Sequence, residues 1–320
     1  MNTANLSGRR WWAYLQLMRP ANIVTAWADI LVGCAISGII TTTIPGESLS
    51  LSWQVPLLLP SLESLPVNLP YLLLATTGLY GGGVVLNDLC DAAIDTQERP
   101  ERPIPSQRAS MSGAMILASS LFAIGIAAAA QVTLLSTVIA ICIAVAAGVY
   151  NAIAKHHTLW GPLNMGLCRG GNWLLGVSLV PNMVTERGWM ALIPLLYIAA
   201  ITAISQGEVW GGHKRTGAIA LALLGIVFSS VLALAMLSNF YLLAALPFVL
   251  LFAVRVLPPF IQTAREPVPD RIRKAVKTGV LSLILLDAAV ASGFAGVGYG
   301  AIVLLLLPLS MALAQLFAVT

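Results

Sequence analysis

The chain has 320 residues, of which 58% are hydrophobic and only 9% charged, with a formal net charge of +4. Soluble domains carry about a quarter charged residues, so this composition excludes an ordinary soluble enzyme. A mean hydropathy of +0.88 and apolar runs recurring from end to end indicate a polytopic helical membrane protein.

Residues 1–16 read as a cytoplasmic, interfacial N-terminal segment. Trp11, Trp12 and Tyr14 suit the headgroup layer, and no short apolar core with a cleavage site follows Arg9-Arg10. Roughly ten apolar segments follow, near 17–40, 68–88, 109–130, 132–151, 160–181, 189–207, 217–237, 239–260, 276–294 and 299–317. Each is long enough to cross about 30 Å of hydrocarbon, and none alternates as a barrel strand does. Only the Gly- and Tyr-containing turn 295–300 separates the last two, so nine or ten spans are expected. The fold class is therefore all-α: one domain, 1–320, forming a bundle of nine or ten transmembrane helices around a central lipid-accessible cavity.

Basic residues sort onto alternate connections. Arg9, Arg10 and Arg19 open the chain; Arg99, Arg102 and Arg108 follow the second segment, Lys155 the fourth, Lys214 and Arg215 the sixth, and several more the eighth. The opposite connections hold Arg187 alone. By the positive-inside rule the N-terminus and the basic connections are cytoplasmic, in what reads as a bacterial inner (plasma) membrane. The net charge suits anionic lipid and gives no reason to invoke nucleic acid. Cys34, Cys90, Cys142 and Cys168 are scattered singly, and His156, His157 and His213 lie in basic loops. Neither set has the spacing of a zinc or disulfide framework.

Against this background one segment stands out. Asn87-Asp88-Leu89-Cys90-Asp91-Ala92-Ala93-Ile94-Asp95 places three of the thirteen acidic residues within eight positions. On a helix Asp88, Asp91 and Asp95 share one face, where their repulsion requires cations to offset it. Such an oxygen-rich face suits Mg²⁺ carrying a phosphorylated substrate. The loop beyond supplies Arg99 and Arg102 for phosphate oxygens, and Pro100, Pro103 and Pro105 stiffen it. Gly81-Gly82-Gly83, a turn earlier, allows a neighbouring helix to approach closely.

The pattern Asn-Asp-x-x-Asp-x-x-x-Asp followed by Arg102-Pro103-Ile104-Pro105-Ser106 resembles the UbiA superfamily of intramembrane prenyltransferases. Arg19-Pro20-x-Asn22, the stretch Tyr150 to Lys155 and Gly166-x-x-Arg169-Gly170-x-Asn172 look similar too, so the resemblance covers nearly the whole chain. It implies an Mg²⁺-dependent enzyme that transfers an isoprenoid from a prenyl diphosphate to a lipophilic or aromatic acceptor within membrane lipid. It further implies Asp88, Asp91 and Asp95 as metal ligands, Asn87 as their support, and Arg102 and Lys155 as diphosphate contacts.

The family's second Asp-rich motif is reduced here to Ser205-Gln206-Gly207-Glu208-Val209-Trp210-Gly211-Gly212-His213. Glu208 is its surviving carboxylate and candidate fourth metal ligand, with Asp88 and Asp91 completing the catalytic set. His213 is a poor substitute for oxygen at Mg²⁺. This form resembles the EboC-type branch. The loss also admits a non-catalytic relative that binds an isoprenoid or secondary-metabolite precursor and helps move it across the membrane. Asn22, Arg169 and Asn172 are candidates for the acceptor side of the cavity. Asp29 and Asp287, costly in lipid, must face the bundle interior or a wet cavity, with Arg169 and Asn172 as available partners. Trp27, Trp160, Trp173 and Trp210 either line an isoprenoid tunnel, where ring faces stabilise a cation, or serve as packing and anchors.

Overall fold

The computed structural model describes residues 10–40 and 65–317. Arg9, and residues 41–64 between the first two apolar segments, lie outside the described residues. Among those residues every regular element is helical. Within a bilayer an α-helix satisfies its own backbone hydrogen bonds, which open strands and loops do not. The protein is a multi-pass integral membrane protein.

α1, Arg10–Met18, ends at Arg19, whose φ of 48° is left-handed backbone rarely taken by a non-glycine residue. The bend feeds α2, Pro20–Ile36, with proline in the first turn, where its missing N–H is no loss. α3, Leu69–Cys90, and α4, Ala92–Glu98, are almost continuous. Asp91 between them keeps helical dihedrals (φ −87°, ψ −4°), and its N–H still reaches Asn87 O at 3.0 Å. α5, Met111–Ala130, and α6, Leu134–Ala152, begin at Ser110 and Thr133. These hydroxyls accept from Gly113 N and Ser136 N at 3.0 and 2.9 Å, so both starts are N-capped. α7 is Trp160–Val177, the short α8 Pro181–Arg187, α9 Leu192–Ser205, α10 Lys214–Ala233 and α11 Leu242–Arg265.

α12, Pro269–Leu304, breaks at Gly296, with φ 84° and ψ 166°, a region essentially restricted to glycine. Beyond it the chain folds back along α2. Tyr299 Oη donates to Leu31 O at 2.9 Å, and Ser310 Oγ of α13, Leu306–Leu316, donates to Ala21 O at 2.8 Å. Rising numbers on one strand of this contact meet falling numbers on the other, so the last pass is antiparallel to the first. Phe317 thereby returns to Trp12, with ring centroids 4.6 Å apart. Among the described residues seven stretches are long and apolar enough to span a membrane, with the 48 residues Pro269–Leu316 counted as one. The break at Gly296 divides that stretch in two. The 17-residue α2 and the polar α7 pack within the same bundle, bringing the described passes to ten.

Lipid tails give apolar helices little reason to associate, so close backbone contact and polar bonds hold such bundles together. A Cβ on Gly78 would meet Leu121 O at 2.4 Å, and one on Gly125 would meet Ala75 O at 2.9 Å. α3 and α5 therefore touch backbone to backbone. The approach expected at Gly81–Gly83 is centred a turn earlier, because Gly78 and Gly82 share the face turned to α5. At the opposite end, Arg187 donates to Ile36 O at 2.5 Å and lies 5.7 Å from the Phe294 ring centroid. The lone basic residue of that side is a structural clamp.

Candidate functional site

The end of α3 and one face of α4, carrying Ile94, Asp95 and Glu98, form one wall of a cavity of about 470 Å³. Its mouth carries Asn87, Asp91, Asp95, Arg99, Arg102, Lys155 and Glu208, and its interior is mostly apolar, with Leu79, Ile143, Met165, Ile198, Val280 and Leu283. The first motif and Glu208, more than a hundred residues apart in sequence, thus face one space.

Every acidic side chain of the motif is held by a cation. Arg19, aimed by the left-handed turn, donates through Nη2 to Asp88 Oδ1 at 2.7 Å. Arg102 Nη1 donates to Asp95 Oδ2 at 2.7 Å and lies 3.5 Å from Asp88 Oδ1. Lys155, entering from the connection after α6, is bonded to Asp91 Oδ1. These pairs supply the offset that three carboxylates on one helical face require. Asp88 and Asp95 are both 5% exposed; Asp88 sits behind Arg19 and Arg102 and is not among the groups facing the cavity. Asn87 Nδ2 donates to Asn151 Oδ1 at 2.8 Å, and Asn151 in turn donates to Ala147 O at 2.9 Å. This contact fixes the turn preceding Asp91 against α6.

The loop after α4 is braced from outside. Arg108 donates to Glu101 O at 2.6 Å and to Gln16 Oε1 of α1 at 2.7 Å. Glu208, in the turn after α9, is 8% exposed and lies 3.7 Å from Arg99 Nη2. Burial pushes its carboxyl above the ordinary glutamate value, and the fields of Arg99, Arg273, Arg19 and Arg102 oppose that shift. His213 lines a second hollow of about 210 Å³ with Thr216 and Pro267 and is not among the residues lining the main cavity.

Deeper in the cavity lies a polar patch of Asn22, Thr76, Tyr80, Arg169 and Asn172. Asn172 accepts from Thr76 Oγ1 at 2.7 Å and donates to Ala26 O at 3.0 Å and Asp29 Oδ2 at 2.8 Å. Arg169 Nη2 donates to Thr25 O at 2.7 Å, and its guanidinium lies 5.6 Å from the Tyr80 ring centroid. None of the four tryptophans named above lies on this wall. Trp27 Nε1 donates to Thr77 Oγ1 at 2.8 Å and Trp173 Nε1 to Asp287 Oδ1 at 3.0 Å, while Trp160 and Trp210 face outward, 57% and 87% exposed. A buried indole needs a hydrogen-bond acceptor, and an exposed one suits the headgroup layer. The tunnel reading of these rings is therefore corrected.

The profile of the UbiA prenyltransferase family matches residues 42–268. The chain belongs to that family. It is 37% identical over 124 residues to a digeranylgeranylglyceryl phosphate synthase of Methanoregula boonei, covering 39% of this chain and 42% of that one. A protein of the same name from Methanoculleus marisnigri is 31% identical over 193 residues, 60% of this chain and 58% of its own. The chain thus spans about half the length of these curated relatives. In structure it is similar to the apo form of a UbiA homolog from Aeropyrum pernix, with TM-score 0.63 and 16% identity over 83% of this chain and 96% of that one. This shared fold agrees with the all-helical bundle described above.

Arg19, Asn151 and Thr76 were not singled out as site residues from sequence. Arg19 stood in a noted Arg-Pro-x-Asn run, and Asn151 in the noted stretch Tyr150 to Lys155. Thr76 carried no signal, since an isolated polar residue in an apolar segment does not reveal its partner.

Proposed function

We propose that the protein is an Mg²⁺-dependent prenyltransferase acting within the membrane, taking a prenyl diphosphate and a lipophilic or aromatic acceptor. The observation that carries this reading is the cavity itself: a mouth of paired carboxylates and cations above an apolar chamber. The family membership and the relatives' names support the same class of chemistry.

Asp91, Asp95 and Glu208, with Asp88 behind them, are all-oxygen donors of the kind Mg²⁺ takes. Among the described residues no three acidic, His or Cys groups are preassembled as a metal cage. Asp91, Asp95 and Glu208 would hold the ion together with substrate phosphates. When bound, Mg²⁺ neutralises diphosphate charge and makes it a competent leaving group. The chain's own contribution is an exchange of partners. Lys155, Arg102 and Arg99, now paired with carboxylates, would turn to phosphate oxygens, and Asp91, Asp95 and Glu208 would then be available to the metal. Asn87, fixed by Asn151, keeps that edge of the mouth in place. The apolar chamber holds the isoprenoid and excludes water that would capture an allylic cation. Asn22, Arg169 and Asn172 offer polar contacts to the acceptor's head.

The basic asymmetry of the connections supports a cytoplasmic mouth and N-terminus, in a prokaryotic plasma membrane that the sequence reading narrows to the bacterial inner membrane. The whole chain, 1–320, acts as one unit. The carrier reading draws on the reduced second motif, of which Glu208 is the surviving carboxylate. One experiment decides between them. Purified protein is given Mg²⁺, labelled prenyl diphosphates and a panel of lipid and aromatic acceptors, with Asp91→Ala/Asp95→Ala as control. Transfer with diphosphate release, lost in the control, supports the enzyme. Metal-dependent binding without release across the panel supports the carrier.

A further inference from the structure

Two acidic side chains lie in the middle of the bundle, behind the cavity wall. Asp29 of α2 and Asp287 of α12 are both 0% exposed. Asp29 Oδ2 receives Asn172 Nδ2 at 2.8 Å and has Arg169 Nε at 2.6 Å, an ion-pair contact whose N–H points off the hydrogen-bond line. Asp287 Oδ1 receives the neutral indole N–H of Trp173 at 3.0 Å. The two carboxyl groups are in contact with each other. Yet Asp29 Oδ1 and Asp287 Oδ2 have no donor.

An ionised carboxylate only accepts hydrogen bonds, so two of them in contact leave both facing oxygens unsatisfied. Away from water such a pair does not ionise twice; one proton is shared. The charge count agrees. Arg169 is the only cation of the described residues in contact with the pair, so two charged carboxylates would leave a net negative charge buried among helices. The other titratable groups packed nearby do not supply a donor. On α3 the Tyr80 hydroxyl meets Asn22, on α9 Tyr197 Oη donates to Gly279 O at 2.8 Å, and Tyr299 Oη beyond the Gly296 break donates to Leu31 O. Arg255 of α11 turns away toward Met311 Sδ at 3.8 Å.

We propose that Asp29 and Asp287 are a proton-binding site: one proton, covalent on Asp287 Oδ2 and donated to Asp29 Oδ1, that positions Arg169 and Asn172 on the cavity wall. The proton falls to Asp287 because Asp29 already has a guanidinium and an amide to stabilise its charge. With the proton in place the cluster is neutral, and every carboxyl oxygen is satisfied. Without it, repulsion between the carboxylates pulls Asp29 away from the two side chains it orients. Both acids are positioning residues, since neither faces the cavity.

The test is infrared difference spectroscopy on purified protein at neutral pH, parent against Asp287→Asn, repeated in D₂O. The parent should show a protonated-acid carbonyl band that shifts on deuteration and is missing from the variant. Asparagine keeps an acceptor for Trp173 and an N–H donor for Asp29, so Asp287→Asn should unfold within a few degrees of the parent. Asp287→Leu, which offers no donor, should unfold much earlier or fail to fold. Raising the pH should remove the parent's band and lower its unfolding temperature, and leave Asp287→Asn unaffected. Absence of the band in the parent, or its survival in Asp287→Asn, overturns the proposal. So does an asparagine variant as damaged as the leucine one.

Discussion

Replacing Arg169 with methionine should lower the unfolding temperature of the protein. The substitution keeps most of the side chain's length and removes one buried cation. Lost with it are the 2.6 Å contact to Asp29 and two hydrogen bonds to Thr25, at 2.7 Å to its carbonyl and 3.0 Å to its hydroxyl. Arg169 is 5% exposed and Asp29 is 0% exposed, so water does not take the cation's place. Breaking a buried pair on one side costs about 3–5 kcal/mol, chiefly because the other charge is left uncompensated. At roughly 2 °C per kcal/mol for a chain of this size, the unfolding midpoint should drop by about 6–10 °C. The assay is thermal unfolding in a fixed detergent, followed by intrinsic tryptophan fluorescence. The double variant Arg169→Met/Asp29→Leu removes both charges and should recover more than half of the loss, because apolar replacement of a whole pair is often close to neutral. A single variant within about 2 °C of the parent, or a double variant less stable than the single, would refute the reasoning.

Mg²⁺ binding should depend on pH through Glu208. Burial raises its pKa above the ordinary 4.5, so Mg²⁺ affinity, read by calorimetry with prenyl diphosphate present, should weaken as pH falls through a value above 4.5, and Glu208→Gln should be weaker at neutral pH and flat across that window. The same shift means that the folded protein binds more protons than the unfolded chain, so Glu208's effect on stability becomes unfavourable as pH rises through the window. Gly78→Val should cost more than about 2 kcal/mol by forcing α3 from α5, whereas Gly148→Ala, with nothing within 4 Å of the new Cβ, should be neutral or stabilise by up to about 1 kcal/mol; denaturation midpoints decide both. Gly296→Ala should cost about 1–3 kcal/mol through its backbone alone, and faster proteolysis of the last pass would report it. Trp210→Ala should leave prenyl diphosphate affinity within about twofold, since the ring is 87% exposed and off the cavity.

Hydropathy located the helices well because each must bury about twenty residues' worth of backbone in hydrocarbon. The segment expected near 109–130 is Met111–Ala130, and that near 132–151 is Leu134–Ala152. Helical phase was harder to read from a run of adjacent glycines: Gly81–Gly83 point in three directions, and the helix contact follows the four-residue step from Gly78 to Gly82. Pairing was legible for Asp29, whose expected partners Arg169 and Asn172 both meet it, but not at the mouth. Arg19 is 69 positions from Asp88, and Lys155 is 64 from Asp91; no local spacing announces contacts of that range. The acidic motif was conspicuous because charge is rare in this chain, while Thr76 resembles any polar residue in a membrane helix. The tryptophans misled for a related reason, since composition does not say whether an indole N–H finds an acceptor inside or water outside.

The contact between α2 and α7 also has a meaning for biogenesis. Thr25 and Arg169 are 144 residues apart, and synthesis at about 5–20 residues per second separates their appearance by roughly 7–30 s. During that interval α2 carries Asp29 with no guanidinium beside it, at an insertion cost of about 2.5–3.5 kcal/mol for a mid-membrane aspartate. The first pass is therefore the last to become secure: it waits for α7 to bring a cation, and then for the return of the chain past Gly296 to cover its remaining side. α2, made early, is thus the helix whose cover is completed late.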